Sequence, residues 1–64
     1  MSFDVWREIT VEYEGRDIKG SYKFVDDMVV VRTKFGTKTA QLGFLTPEQL
    51  AKKLIRELAS QGLA

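Results

Sequence analysis

The first 42 residues of this chain alternate closely enough, and are punctuated clearly enough, to specify their own strand register. With Gly15-Arg16 as a two-residue hairpin loop, Glu12 faces Lys19, Thr10 faces Ser21 and Glu8 faces Lys23. The opposite face then sets Tyr13 against Ile18, Val11 against Gly20 and Ile9 against Tyr22. Charge pairs gather on one side and apolar pairs on the other, each such cross-strand pair adding roughly 0.2–1 kcal/mol. A slip of one residue exchanges the two faces and loses every pair together. Gly15 suits the first central position of a type II′ turn, where φ must be positive.

The same reading extends along the chain. Asp26-Asp27 forms a second loop, since aspartate tolerates turn conformations and bonds to its local backbone; Phe24 then faces Val29 and Tyr22 faces Val31. Phe35-Gly36 forms a third loop, placing Val31 opposite Ala40 and Val29 opposite Leu42. A three-residue loop there would turn Thr37, Thr39 and Gln41 inward, burying polar groups without partners, and is set aside. The expected strands are Val5 to Glu14, Asp17 to Val25, Met28 to Thr33 and Thr37 to Leu42. Gly43 ends the sheet. Thr46 then reads as an N-cap, Pro47 as the first helical residue and Gln49 as the second half of a capping box. Leu50, Ala51, Leu54, Ile55 and Leu58 share one stripe of that helix, which the spacing predicts over Pro47 to Ser60, with Gly62 as its C′ residue.

The expected fold is therefore α+β: a four-stranded antiparallel β-meander with one C-terminal α-helix packed on its inner face (ββββα), as a single domain over residues 1–64. Its core should comprise Ile9, Val11, Tyr13, Ile18, Tyr22, Phe24, Val29, Val31, Ala40, Leu42, Leu50, Leu54, Ile55 and Leu58. A chain of 64 residues has little apolar surface to bury, and oligomerisation is one way such domains gain stability.

Composition narrows the chemistry. There is no cysteine and no histidine, which removes disulfides, the usual zinc sites, cysteine nucleophiles and histidine general bases together. Ser21 and Ser60 have no histidine to activate them. Asp26-Asp27 reads as turn chemistry, and no nucleotide- or metal-binding motif is present. The expectation is no catalytic residue, no cofactor and no metal: not an enzyme. The opening MSFDVWRE lacks the basic and apolar regions of a signal peptide. The longest apolar run, Met28 to Val31, falls far short of the roughly 20 residues of a membrane span. The expected address is the cytoplasm. Ten basic against nine acidic residues leave a charge of +1, without the basic excess typical of nucleic-acid binders.

What remains is surface. The register leaves Trp6 beside Val25, Val25 beside Met28, and Val30 beside Lys23, all on the face away from the helix. Such a cluster rimmed by charge marks a contact site unless the chain covers it, for example by Phe3 folding back. Phe3, Phe35 and Phe44 have no place in the core. The leading expectation is a small interaction or assembly module, a homodimer or a subunit with a small protein partner, that binds through Trp6, Val25, Met28 and Val30. Strands one and four are meander edges, and edges seek partners. The alternative is single-stranded nucleic acid on the sheet, contacted by Lys19, Lys23, Arg32, Lys34, Phe35 and Lys38. Glu8 and Glu12, opposite Lys23 and Lys19, argue against it by local neutralisation.

Two resemblances accompany these readings. The spacing of Trp6, Ile9, Val11 and Tyr13, with Gly20 and Tyr22 and the closing Leu45-Thr46-Pro47-Glu48-Gln49-Leu50, looks like small bacterial proteins of uncharacterised function. The order of four strands and a proline-initiated helix is similar to the single-stranded-DNA-binding transcriptional coactivator family. That resemblance implies a unit that dimerises through helix and strands and contacts DNA with basic and aromatic sheet residues. The near-neutral charge and the acidic residues of strand one depart from that family's pattern.

Overall fold

A computed structural model describes residues 3–64. The strands are β1 (Phe3–Tyr13), β2 (Arg16–Val25), β3 (Met28–Arg32) and β4 (Thr37–Gln41), followed by one helix, α1 (Pro47–Ser60). They form one antiparallel sheet in the order β1-β2-β3-β4, with α1 across one face. This is the expected ββββα meander.

Two of the three registers differ from the expected ones, each by two residues. In the first hairpin Glu8 pairs with Ser21, Ile9 with Gly20, Thr10 with Lys19, Val11 with Ile18, Glu12 with Asp17 and Tyr13 with Arg16. The loop is Glu14-Gly15, both residues at positive φ (52° and 77°), as a type I′ turn requires. A shift of two preserves which face each side chain occupies but changes every partner. The predicted Glu8–Lys23 and Glu12–Lys19 pairs are therefore not formed. Exposed charge pairs are worth only about 0–1 kcal/mol, too little to fix a register by themselves. The β-branched pair Val11–Ile18 forms instead, both side chains buried.

The second hairpin follows expectation: Asp26 and Asp27 lie at φ 51° and 61°, Phe24 pairs with Val29 and Tyr22 with Val31. In the third, Val31 pairs with Lys38 and Val29 with Ala40 around a loop spanning Thr33 to Gly36, so β3 stops at Arg32. The Thr33 hydroxyl organises that loop. It accepts from the backbone N–H groups of Phe35 (3.3 Å) and Gly36 (3.2 Å) and reaches the carbonyl of Leu63, while Thr33 N–H donates to Gly36 C=O at 2.8 Å.

The helix begins and ends where its sequence signals stand. Thr46 Oγ1 accepts from Gln49 N–H (3.2 Å) and Gln49 Oε1 accepts from Thr46 N–H (3.0 Å), closing the capping box. At the other end Gly62 takes φ 75°, with its N–H on Ala59 C=O (3.0 Å) and Leu63 N–H on Leu58 C=O (2.8 Å). This pair of bonds is the Schellman arrangement.

The core lies between α1 and the inner sheet face. Val29, Val31, Ala51 and Ile55 have no exposed surface. Tyr13, Ala40 and Leu42 are only partly buried at its rim, while Ala51 and Ala59 join it and Thr33 is buried as a polar residue. Gly20 lies under the helix: a Cβ there would lie 2.9 Å from Arg32 O and 3.1 Å from Ile55 Cδ1. Its missing side chain lets Ile55 press onto β2.

Candidate interaction surface on the open face of the sheet

Because α1 occupies one face, the other face of the sheet is presented outward. Alternation sends Glu8, Thr10 and Glu12 of β1, Lys19, Ser21, Lys23 and Val25 of β2, Met28, Val30 and Arg32 of β3, and Thr37, Thr39 and Gln41 of β4 to that side. Val25, Met28 and Val30 are half-buried there, and Val25 pairs with Met28 as expected.

Trp6 is also half-buried, but not in the expected place. The β1–β2 pairing is irregular between Phe3 and Arg7, and Trp6 lies against two cations, not opposite Val25. Lys23 Nζ is 4.9 Å from the centroid of its ring and the Arg32 guanidinium carbon 4.1 Å. Val30, the cross-strand partner of Lys23, continues the cluster. A cation over an indole face is held by about 0.5–1 kcal/mol at exposed sites and more when desolvated. The cover expected from the Phe3 side chain falls outside the described residues.

The remaining basic residues divide. Lys19, Arg32 and Lys34 line a shallow groove of about 240 Å³ with Glu8 and Ser21. Lys34 also lies 6.0 Å above the Phe35 ring, which is 62% exposed. Lys38 does not belong to this set. The two-residue shift keeps it on the helix side of β4, where its ammonium meets Glu57 Oε1 at 2.8 Å. That hydrogen bond holds the Glu57 carboxyl below its ordinary range against the opposing effect of burial, with lesser help from the charges of Lys38 and Lys53.

Sequence reasoning put Trp6, Lys23 and Arg32 on one face but set Trp6 opposite Val25, because it took Gly15 as the first loop residue. The signal was present: a glycine at the second loop position is the commoner hairpin pattern, and it sets the register that brings Lys23 to Trp6. Among the described residues no group of three or more His, Cys, Asp or Glu side chains converges as a metal site would need, and Asp26 and Asp27 are spent on their turn. No described helix is long and apolar enough to cross a membrane.

No protein-family model, curated protein or solved structure matches the chain. The functional reading accordingly stands on the fold and this surface.

Proposed function

We propose that the chain is a small non-enzymatic interaction module that docks a protein partner on the open face of its sheet, through Trp6, Val25, Met28 and Val30. The observation that carries this reading is the Trp6 ring, half-buried on the uncovered face with Lys23 and Arg32 against it and Val30 alongside. Tryptophan, methionine and arginine are enriched at protein interfaces, and an apolar centre rimmed by cations fits a partner with an apolar strip bordered by carboxylates. Trp6→Ala should weaken such a complex roughly thirtyfold, as truncating a central anchor does. The test uses wild type, Trp6→Ala and Val30→Ser as bait, each checked for a cooperative fold. A binder held by the wild type and lost by both variants supports the reading. One retained by both, or a Trp6→Ala chain that unfolds, makes Trp6 a structural residue and ends it.

A second reading, single-stranded nucleic acid on the same face, is favoured by one observation. Glu8 and Glu12 stand opposite Ser21 and Asp17, so neither carboxylate directly faces Lys23 or Lys19, although Glu8 shares the groove of Lys19 and Arg32. Aromatic stacking beside cations is how sequence-tolerant single-strand sheets bind. A short thymidine oligonucleotide titrated by Trp6 fluorescence separates the readings. Affinity that falls steeply with salt supports nucleic acid, and no binding at low salt removes it.

A further inference from the structure

The two edges of the sheet are not equivalent, and the difference points to a second copy of the chain. We infer that β4 is a self-association edge: two copies pair antiparallel about a two-fold axis at Thr39, joining two four-stranded sheets into one. This inference uses the edge and not the face proposed above, and does not rest on that reading.

The hydrogen-bond parity of β4 is fixed by the bonds at its ends. Thr33 N–H donates to Gly36 C=O (2.8 Å) and Leu42 N–H to Asp27 C=O (2.9 Å), so Lys38 and Ala40 direct their backbone groups at β3. The N–H and C=O groups of Thr37, Thr39 and Gln41 therefore point away from the sheet. Every side chain on those residues is uncharged and exposed, and the strand's lysine, Lys38, is tied back to Glu57. None of the usual protections of an edge, such as an outward lysine, a proline or a bulge, is present in β4. By contrast β1 carries Glu8, Thr10 and Glu12 at its outward positions, and Arg56 Nε of the helix donates to the Glu12 carbonyl at 3.4 Å. That edge is charged and partly covered; β4 is neither.

The ends of β4 add a second, independent observation. Phe35 is 62% exposed just before the strand and Phe44 fully exposed just after it. An antiparallel pairing centred on Thr39 sets Thr37 opposite Gln41 of the second copy, and Gln41 opposite its Thr37. It uses all three outward residues, about six backbone hydrogen bonds in all. The same operation brings the Phe35 end of each copy beside the Phe44 end of the other, where a Cβ on Gly43 would meet nothing within 4 Å. The exposed aromatic at each end thus lies next to that of the other copy, and a self-complementary patch is what a two-fold contact requires. The axis runs through the sheet, so both helices stay on one side and both open faces on the other.

Sedimentation equilibrium over a wide concentration range tests this with three variants. Thr39→Pro removes an outward donor while leaving the bonds to β3 in place, a position where an edge strand tolerates proline. Thr39→Lys, in case the proline disturbs folding, places like charges against each other at the axis. Trp6→Ala leaves the edge intact. The expected result is a wild-type dimer, a dimer in Trp6→Ala, and a dissociation constant raised at least ~100-fold in the folded Thr39 variants. A monomeric wild type overturns the inference. So does a dimer that survives Thr39→Lys, or one that Trp6→Ala abolishes, which would move self-association to the open face.

Discussion

Glu14 holds a positive φ of 52° although it carries a Cβ, a conformation that strains most L residues. It does so because Gly15 follows it and the pair must form a left-handed turn for the strands to keep their twist. Asparagine accepts this conformation more readily than glutamate. Glu14→Asn is therefore expected to stabilise the fold by roughly 0.5–1 kcal/mol, seen as a higher urea midpoint at unchanged slope. An unchanged or lower midpoint would mean that the Glu14 side chain contributes something the turn geometry does not explain. This residue also marks a limit of sequence reading. The faces of β1 and β2 were legible, because any even shift preserves them. The partners were not, because two placements of Gly15 satisfy the same alternation, and only turn geometry separates them. The Trp6 part of the candidate surface inherited that ambiguity, and its two cations with it.

At the scale of elements, legibility followed locality. The bounds of α1 agree with expectation because Thr46, Pro47, Gln49 and Gly62 act within a turn of the helix ends. The β3–β4 loop was not legible because it is built from afar: the Thr33 hydroxyl ties Phe35 and Gly36 to the Leu63 carbonyl, 30 residues on. A threonine at a strand end gives no sign that the chain's other end will bond to it. Thr33→Val keeps the shape and the burial but removes the hydroxyl. It is expected to cost about 1–2 kcal/mol, since the N–H groups of Phe35 and Gly36 and the Leu63 carbonyl lose a partner together. Hydrogen exchange should localise the loss to residues 33–36 and 63; a uniform loss of protection across the sheet would contradict this account.

Among the described residues the helix is held to the sheet by an apolar core, by the Arg56 donation to the Glu12 carbonyl and by an ionic stitch, Lys38 to Glu57. Since Lys38 depresses the Glu57 pKa, the stitch contributes in full above the ordinary carboxylate range and fades as pH falls through the lowered value. Wild type should exceed Glu57→Gln by at most about 0.5 kcal/mol at neutral pH, a small margin because the pair is only half-buried and is screened by solvent. That margin should close in acid and in high salt. A gap that persists at the lowest pH where the protein still folds would assign the effect to packing. The overall architecture was readable because one apolar stripe of helix and one apolar face of sheet admit a single way to cover each other. The order of these parts along the chain governs how the protein is made. The strands leave the ribosome first, with Ile9, Val11, Tyr22, Phe24, Val29 and Val31 still facing water and the β4 edge bare. Nothing shields them until Leu50, Leu54, Ile55 and Leu58 follow. Until the helix docks, the bare sheet is thus a sticky, aggregation-prone species, and the time that docking takes decides how long each new molecule remains one.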